Sequence, residues 1–495
     1  MFLFPPDTNQ VRWPSKSGWR TSVWRTLLLE KLKTPAGFTI AVFLGLVIAW
    51  FLGRSTPEDS LIIMIGLLSV PVAMISFLFP VKGLIMVLII GFFVELGKQL
   101  VPELPFGVMI DAMVLILAGG VLYRIAVSRS WTFLAHPVSA LALAWICYCG
   151  LEFLNPWSRA EWGWLYAFRS IAGWWGILFV SLFAMRKYRQ MISLHRIWIA
   201  CSFIAACYGL VQWWAGPTDR ELDWILSSPR FFSLIYHDGG IHSFSIFGSP
   251  GALGIISSLN VVFVLILTFR RGGTTGRKLI GSVLSLIFFL SLLASGSRIG
   301  LFLLPVGLLI YSILSLRLVP IILSALLLSC WAAIQVIPVK QPLVEEIRQL
   351  SNPIHTIGFQ VRSQNQAWVQ PFIQDHPIGA GLGTTAGLGK RFAPDIWLSQ
   401  FPPDSAYIRL ALETGWIGLG IFLTLLGLIL VTGVKALFRS GSTRQKNTIE
   451  AYLCFCLMVI IASTFQQLFT QLPVGIMFIL ISGSLVTMAQ QATLR

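Results

Sequence analysis

The chain alternates apolar segments long enough to cross a bilayer with short, mostly basic connections. A spanning helix needs about 20 consecutive, mainly apolar residues, and by that rule we count roughly fourteen segments in the 495 residues. Their approximate ranges are 36–53, 60–79, 84–97, 106–123, 138–154, 164–185, 197–215, 251–269, 279–295, 299–316, 318–337, 416–435, 450–468 and 473–490. The third is short enough to be tilted or re-entrant. The pattern predicts an all-α, polytopic membrane protein.

Composition supports the same class. Hydrophobic residues make up 56% of the chain and charged residues 11%, whereas soluble domains carry about 25% charged residues. The net charge of +16 does not indicate a nucleic-acid partner, because the basic residues are spread in short clusters between apolar runs. Such clusters are typical of connections that face the cytoplasm and contact anionic membrane lipids.

The charges also predict a topology. If the N-terminus is inside and fourteen spans alternate, the inner segments hold 23 of the 36 Lys and Arg residues and three of the 20 Asp and Glu residues. The outer segments then hold 13 basic and 17 acidic residues. If one span were miscounted, every later segment would be assigned to the wrong side, and the basic residues would no longer be concentrated inside. We therefore expect both termini to be cytoplasmic and the loops at 216–250 and 338–415 to lie outside.

This topology divides the chain into four parts. Residues 1–35 form a basic cytoplasmic segment without the apolar core of a cleavable signal peptide. Residues 36–337 carry the first eleven spans, and 416–495 carry the last three and a short tail. Between them, residues 338–415 form a large outer loop, in which amphipathic stretches predict short helices near the membrane interface. The seven cysteines all fall in apolar runs, which excludes a disulfide-stapled outer domain.

The end of the large loop carries a carboxylate with two interpretations. Asp404 stands just before an amphipathic helical pattern, where it can cap the helix N-terminus or act as a base toward a hydroxyl group. The two roles are compatible. Glu413 is expected to pack against the helix start or to pair with Arg409 at i, i+4.

Earlier in the loop, His376 precedes a proline and a glycine-rich run, 379–384. The histidine can serve as a base or can stabilise a turn. The glycine run lacks the preceding strand and the Lys-Ser/Thr ending of a nucleotide loop. A tight turn that returns the chain to the site is the better interpretation.

Two arginines lie beside apolar spans on the predicted outer side. Arg298 follows Ser295-Gly-Ser; it can snorkel to lipid headgroups, or it can bind a phosphate together with the backbone N–H groups of the turn. Arg169 lies within an apolar run near the outer boundary, where a charge is costly unless it faces water or an anion. His237, Asp238 and His242 have a spacing that is weak evidence for a metal site, and we predict none.

Five motifs stand in a recognisable order between about residues 200 and 425. They are Tyr208-Gly-Leu-Val-Gln212, Phe247-Gly-Ser-Pro-Gly-Ala-Leu-Gly254, Ser295-Gly-Ser-Arg298, Arg362…Trp368…Asp375-His-Pro-Ile-Gly-Ala-Gly381 and Asp404…Tyr407…Glu413-Thr-Gly-Trp-Ile-Gly418. Their order and common outward placement resemble the O-antigen ligase and O-antigen polymerase superfamily.

The resemblance implies a multi-spanning glycosyltransferase of the bacterial inner membrane. Such enzymes take a glycan from an undecaprenyl-diphosphate carrier on the periplasmic side and pass it to an acceptor hydroxyl. Ligases of lipopolysaccharide assembly use lipid A-core as the acceptor, and polymerases use another carrier-linked repeat. The family is thought to invert the anomeric centre without a metal, and no cofactor is implied.

The resemblance also suggests roles for individual residues. Arg298 and Arg362 match family arginines and are candidates for binding the diphosphate, with Arg169 as an additional candidate from its own position. Ser297, Tyr407 and Trp368 would support the site.

The base is left open between two residues. Many ligases carry His-Asn where this chain has Asp404-Ser405, so Asp404 is a candidate base and His376 the reserve. The missing histidine favours a polymerase or a general exopolysaccharide ligase over a lipid A-core ligase.

The alternative class is a polytopic small-solute transporter. Such a protein is expected to show repeated halves and broken helices with ionisable residues near mid-membrane. Glu95 and Asp111 come closest to that pattern, and both fall toward the predicted outer side.

Overall fold

A computed structural model describes most of the chain. The described residues are 56–101, 104, 106–129, 131–158, 160–237, 240–269, 274–315 and 357–493, with scattered positions between 34 and 54 and between 321 and 329. The chain divides into two units, Met1–Pro71 and Val72–Arg495. All the sites discussed below belong to the second unit.

The described elements are almost all helical. In chain order the α-helices are α1 (Pro57–Leu78), α2 (Pro80–Leu100), α3 (Phe106–Ser128), α4 (Pro137–Leu151), α5 (Glu161–Ala184), α6 (Tyr188–Ala215), α7 (Asp219–Leu226), α8 (Pro229–Ile235), α9 (Pro250–Thr268), α10 (Thr275–Ala294), α11 (Arg298–Ser315), α12 (Ile357–Asp375), α13 (Ala386–Phe392), α14 (Trp397–Gln400), α15 (Ala406–Arg439), α16 (Thr443–Ala462) and α17 (Val474–Thr493). A two-stranded antiparallel ribbon, β1 (Tyr236–His237) and β2 (Gly240–Ile241), follows α8. Short 3₁₀ turns lie at Thr132–Ala135, Glu152–Leu154 and Ser245–Phe247.

The prediction of an all-α polytopic membrane protein is confirmed. Within the described residues, eleven helices are long and apolar enough to cross a membrane, and each overlaps one predicted span. The predicted span 60–79 corresponds to α1, whose apolar part is shorter. The predicted spans 36–53 and 318–337 lie mostly outside the described residues, so the count of fourteen stays a prediction.

The third predicted span is longer than its apolar run suggests. Helix α2 covers 21 residues and begins at Pro80, because proline at the first helical position lacks only an N–H that would have no partner. The helix also includes Lys82 and Glu95, which border the uncharged stretch 83–94. Helix α2 therefore has the length of a full span.

One end of the helix bundle gathers the long connections, and we call it the loop end. Arg220 donates a hydrogen bond to the carbonyl of Leu100 at 2.9 Å, joining α7 to the end of α2. The backbone N–H of Ser243 donates to the carbonyl of Ala294 at 3.2 Å, joining the same loop to the turn before α11.

The segment after α16 and the large loop belong to the same end. Gly251, in the first turn of α9, lies against the side chain of Gln466. Asn155, which follows α4, donates to the carbonyl of Ile378 at 3.1 Å. Gln467, also after α16, donates to the carbonyl of Pro403 in the large loop, so these connections form one surface.

The opposite end holds the short basic connections. The hydroxyl of Tyr188 donates to the carbonyl of Arg444 at 3.1 Å, and Gln491 donates to the carbonyl of Arg186. The connections before α6 and before α16 and the end of α17 therefore lie together.

Helices α9, α16 and α17 are the most buried spans, and α9 packs against its neighbours through small residues. A Cβ on Gly254 would overlap the side chain of Ser297. A Cβ on Gly300 would lie 2.7 Å from the carbonyl of Gly254. Small residues let membrane helices approach closely, and here they bring the start of α9 against the start of α11.

The large loop folds back onto the bundle. Helix α12 is longer than the short helices predicted there, whereas α13 and α14 are short. A small apolar core of Val369, Ala380, Leu398, Phe401 and Leu412 joins α12 and α14 to α15. Residues 338–356, the first part of the predicted outer loop, lie outside the described residues.

Candidate functional site

Helix α15 is broken at Gly415, near its loop end. Gly415 has φ of 66° and ψ of −177°, a conformation that only glycine adopts without strain. The break interrupts the helical hydrogen bonding of the preceding carbonyl groups, and a buried carbonyl needs a partner within the protein. The partners come from the large loop and from α4.

The glycine-rich run of the large loop supplies two of these partners. The N–H of Ala380 donates to the carbonyl of Leu412 at 2.8 Å, and the N–H of Gly381 donates to the carbonyl of Glu413 at 3.0 Å. The tight turn predicted for this run is confirmed by the positive φ of Gly379, which is 71°. The glycine-rich run therefore stabilises the break in α15 by backbone hydrogen bonds.

Helix α4 and the turn after it contact both the break in α15 and the glycine-rich run. The hydroxyl of Tyr148 donates to the carbonyl of Thr414 at 2.8 Å. The side-chain amide of Asn155 donates to the carbonyls of Ile378 and Gly379 at 3.1 and 3.2 Å, and to the carboxylate of buried Glu152 at 2.8 Å. The break in α15 is therefore stabilised by contacts from both the large loop and α4.

A buried ion pair lies just before the break. Glu413 is 3% exposed, and Arg409 donates from Nε to its Oε1 at 3.1 Å. The hydroxyl of Thr385 also donates to Glu413. The predicted i, i+4 pair of Arg409 and Glu413 is confirmed.

The same arginine connects the pair to the loop that carries Asp404. Arg409 donates from Nη1 to Oε1 of Gln467 at 2.7 Å, and the amide nitrogen of Gln467 donates to the carbonyl of Pro403. Pro403 immediately precedes Asp404. The backbone beside Asp404 is thus held by a chain of side chains that ends at buried Glu413.

The residue that caps α15 is Ser405. Its hydroxyl accepts a hydrogen bond from the N–H of Tyr407 at 3.2 Å, and Asp404 lies one position outside the helix. The interpretation of Asp404 as the cap is therefore wrong. A serine at this position satisfies a helical N–H as well as an aspartate does.

Asp404 lies at a shallow cleft that is open to solvent. Its walls combine amides, hydroxyls and aromatic rings with this one carboxylate. The lining residues are Asn365 and Gln366 of α12, Phe401, Pro402, Asp404 and Ser405 of the loop, Ile408 of α15, and Thr464 and Phe465 after α16. Such a mixture suits a polar ligand with apolar faces.

An exposed aromatic surface adjoins the cleft. The ring of Trp368 lies 4.6 Å from that of Trp397 and 6.1 Å from that of Phe401, which lines the cleft. Trp368 is 57% exposed and Trp397 is 38% exposed. The predicted supporting residue Trp368 therefore lies at the edge of the cleft, with a second tryptophan beside it.

His376 does not line the cleft. It follows the last residue of α12, about 15 Å along the axis from Asn365 at 1.5 Å per residue. Its Nδ1 donates to the carbonyl of Phe372 at 2.9 Å, because a carbonyl oxygen can only accept. The ring stacks on Phe372 and meets the edge of Trp157. These contacts match the second interpretation of His376, in which it stabilises a turn.

Arg298 is the first residue of α11, next to the cleft. Phe302 stands one turn later on the same face, and its ring lies 6.2 Å from that of Phe465, which lines the cleft. Arg298 is partly buried. Arg298 thus lies one helical turn from Phe302, whose ring contacts a residue that lines the cleft.

The Ser-Gly-Ser turn before Arg298 differs from its prediction. The N–H of Gly296 donates to the carbonyl of Leu293 at 3.1 Å, and the N–H of Ser297 donates to the hydroxyl of Ser295 at 3.3 Å. These N–H groups are engaged, so the expectation that they are available to a phosphate is wrong. Ser297 itself accepts from the N–H of Gly300 at 3.2 Å and caps α11.

Two other predicted residues have mixed outcomes. The backbone of Arg362 lies on α12, one turn before Asn365 of the cleft; its side chain lies outside what the structure describes. Tyr407 donates from its hydroxyl to the carbonyl of Ile460 at 2.8 Å. Tyr407 therefore joins α15 to α16 and supports the site from behind.

Arg169 belongs to a different part of the loop end. Its Nε lies 2.8 Å from Oδ2 of Asp111 on α3, and its guanidinium lies 4.9 Å from the centre of the Tyr166 ring. Neither partner lines the cleft. The structure therefore separates Arg169 from Arg298 and Asp404.

The first family-like motif has a supporting role. Tyr208 and Gln212 donate to the same oxygen of buried Glu221 at 2.7 and 2.6 Å. The side-chain oxygen Oε1 of Gln212 accepts from the N–H groups of Phe244 and Ser245 at 3.3 and 2.7 Å. These contacts fix the turn that leads into α9.

Sequence reasoning missed the amide residues of the site. Asn365 and Gln366 line the cleft, and Gln467 holds the loop. Uncharged polar residues on loops have no characteristic spacing. The one usable signal was the pair Gln466-Gln467, which interrupts an apolar run.

Comparison with other proteins gives no independent support for a function. No family model matches the chain, and no curated protein matches its sequence. The resemblance in motif order therefore stays a prediction, and the case for a function rests on the geometry of these residues.

Proposed function

We propose that the protein is a periplasm-facing, inverting glycosyltransferase of a bacterial inner membrane. It moves a glycan from an undecaprenyl-diphosphate carrier to the hydroxyl of a lipid- or glycan-linked acceptor. The observation that carries this proposal is the position of Asp404 at an open polar cleft, one of whose lining residues, Phe465, contacts Phe302 of α11, one turn after Arg298.

Asp404 is the base in this proposal. The acceptor hydroxyl loses its proton as its oxygen attacks the anomeric carbon, and a base must lie within hydrogen-bond reach of that proton. Asp404 is the carboxylate among the residues that line the cleft. His376 is the weaker candidate because it does not line the cleft and its Nδ1 donates to the carbonyl of Phe372.

Arg298 and Arg362 receive the leaving group. When the bond from the anomeric carbon to the diphosphate breaks, the electron pair stays on the diphosphate oxygen, and negative charge grows there. A guanidinium in a partly desolvated site stabilises that charge and can bind two oxygens at once. The positions of Arg298 next to the cleft and of Arg362 one turn from Asn365 support these roles.

The remaining cleft residues suit a glycan. Amide groups such as Asn365 and Gln366 both donate and accept hydrogen bonds, as sugar hydroxyls require. Trp368 and Trp397 offer large exposed ring faces beside the cleft, on which the apolar face of a sugar ring can lie.

The grouping of the connections supports the sidedness. Residues of the large loop, the 216–250 loop and the turn before α11 meet at one end, and the charge pattern assigns these segments to the outside. The short basic connections meet at the opposite end. The protein would therefore bind the donor glycan on the periplasmic side.

Deletion of the gene, followed by analysis of lipid-linked and surface glycans, tests the proposal. Accumulated carrier-linked single repeats would identify a polymerase. Accumulated long carrier-linked chains with bare acceptor at the surface would identify a ligase. Unchanged glycans with a defect in uptake of a solute would refute the transferase and favour a transporter.

A further inference from the structure

The connection between spans α6 and α9 has an inner side that packs on the protein. It comprises α7, α8 and the β1–β2 ribbon, and we call it the α7–β2 segment. Its residues Ile225 and Ile235 form a small buried core with Phe244, against which Trp224 packs. A Cβ on Gly248 would lie 3.2 Å from the ring of Trp224. The inner side of the segment is therefore fixed to the turn that leads into α9.

The outer side of the segment exposes large apolar residues. The rings of Phe232 and Tyr236 stack with their centres 5.0 Å apart. Ile241 is the partner of Tyr236 across the ribbon, so the side chains of this pair lie on the same face. All three residues are exposed, and so are Leu226 and Leu234. We call Phe232, Tyr236 and Ile241 the apolar patch; a contiguous apolar surface of this kind marks a contact with something other than water.

The segment lies beside the last turns of two spans. Tyr208 and Gln212, in the last two turns of α6, donate to Glu221 of α7 at 2.7 and 2.6 Å. Arg220 donates to the carbonyl of Leu100, the last residue of α2. Helix α6 has 28 residues and is therefore about 42 Å long, and a bilayer with its headgroups is about 40–45 Å thick. The last turns of α6, and α7 with them, therefore lie at the level of the headgroups.

Two exposed tryptophans mark the same level. Trp213 and Trp214 lie at the end of α6, directly before the segment, and are 66% and 90% exposed. Tryptophan is enriched at the boundary between membrane and water, because its ring is apolar and its N–H group can bond to water. The α7–β2 segment therefore starts at the membrane interface.

Phospholipid is the partner that fits the apolar patch. A stable contact with a second copy needs about 20–30 residues on each side, and the outer side of the segment offers five large apolar residues. An amphipathic segment in the membrane plane buries its apolar face about 5–10 Å into the boundary between headgroups and acyl chains. Helices α7 and α8 carry two arginines and three acidic residues, so apolar contact, and not attraction to anionic headgroups, favours this position.

We propose that the α7–β2 segment is an interfacial anchor, which lies in the membrane plane at the loop end and buries Phe232, Tyr236 and Ile241 among phospholipids. The connection predicted as a free outer loop is then part of the membrane-embedded protein. This proposal rests on the spans and does not depend on the proposed function. It has a consequence for the site, because Ser243, just after the ribbon, donates to the carbonyl of Ala294 at 3.2 Å. The anchor therefore also sets the depth of the turn before α11.

Photo-cross-linking to lipid tests the proposal in the purified full-length protein. The photoreactive residue p-benzoylphenylalanine replaces Phe232 in one preparation and Ile241 in another, and each protein is placed in phosphatidylcholine nanodiscs. After irradiation, mass spectrometry measures the yield of phospholipid adducts on each peptide. We expect yields within about twofold of that from the same residue at Leu122, an exposed position of span α3, because an interfacial face reaches the acyl chains. Both test positions are exposed, so the replacements should leave the melting midpoint unchanged.

Asp395 is the matched control, because it is an exposed residue of the large loop at the same end. The photoreactive residue at this position should give at least about tenfold less lipid adduct, since an exposed polar loop stays in water. Yields at Phe232 and Ile241 that are as low as at Asp395 would overturn the proposal and leave the segment in water.

Two further readouts separate the other partners. Covalent dimers on a denaturing gel, in place of lipid adducts, would overturn the proposal in favour of contact with a second copy. Replacing half of the phosphatidylcholine by phosphatidylglycerol should leave the adduct yields unchanged. A severalfold rise in yield with phosphatidylglycerol would overturn the apolar contact and indicate a site for anionic headgroups.

Discussion

Arg409 donates a hydrogen bond to Gln467 at 2.7 Å, and this contact joins buried Glu413 to the loop that carries Asp404. Because Gln467 in turn donates to the carbonyl of Pro403, the position of Asp404 depends on a network that lies behind the cleft. The hydroxyl of Thr385 also donates to Glu413.

The first prediction concerns this network. Glu413→Gln should lower the free energy of unfolding by about 1–3 kcal/mol, because a neutral amide loses the charge-assisted hydrogen bond that buried Glu413 accepts from Arg409. Thermal unfolding of the purified protein, followed by tryptophan fluorescence, measures the change. Glu95→Gln is the control, since its pair with Lys98 is exposed and should contribute no more than about 0.5 kcal/mol. Equal midpoints for the two variants would refute a structural role for Glu413.

The second prediction concerns the helix break. Gly415→Ala should destabilise the protein by about 2 kcal/mol or more, because its φ of 66° strains any other residue and a Cβ would overlap the carbonyl of Pro377. Gly427→Ala, in the same helix with open space around its Cβ, should be neutral or slightly stabilising. Melting curves that rank the two alanines the other way would show that the break is dispensable.

These residues also show what the sequence can predict. Hydropathy located the spans, because a bilayer demands a long apolar run whatever its neighbours are. The pair Arg409–Glu413 followed from helical spacing alone. The break at Gly415 did not, because it depends on Pro377 and Ala380, which approach only in the folded protein.

The site was predicted less completely for the same reason. Asp404 was placed near the start of α15, but the choice between Asp404 and Ser405 as the cap is made by local geometry. Gln467 donates to the carbonyl of Pro403, which is 64 residues away in the sequence. No local sequence pattern predicts that contact. Arg169 resembled Arg298 in its boundary position, yet its contacts with Asp111 and Tyr166 assign it to another cluster.

A third prediction addresses the arginine beside the cleft. Arg298→Gln should reduce glycan transfer about 10²–10³-fold, the usual effect of removing one donor from a developing negative charge, and Arg298→Lys should restore part of it because it keeps the charge but not the planar fork. Glycan gels of cells that express each variant, with membrane levels checked by immunoblot, measure the effect. A wild-type ladder from Arg298→Gln would remove this residue from the mechanism.

A fourth prediction addresses sidedness. A cysteine at Asp395, in the large loop, should react with a membrane-impermeant thiol reagent added from the periplasmic side. A cysteine at Gly276, in the first turn of α10 at the opposite end, should react only after the membrane is opened. The unmodified protein gives the background from the native cysteines. The reverse pattern would place the cleft in the cytoplasm and contradict the proposed donor.

Transfer by the purified protein tests the central claim most directly. An undecaprenyl-diphosphate-linked glycan and a lipid-linked acceptor are incubated with the wild type, Asp404→Asn and Asp395→Asn. Asp395 is also an exposed aspartate of the large loop but does not line the cleft. The account predicts that Asp404→Asn loses about 10²–10⁴-fold in rate, as expected for removal of a general base, while Asp395→Asn stays near the wild type. Equal rates for the two variants, or no transfer by the wild type, would contradict it.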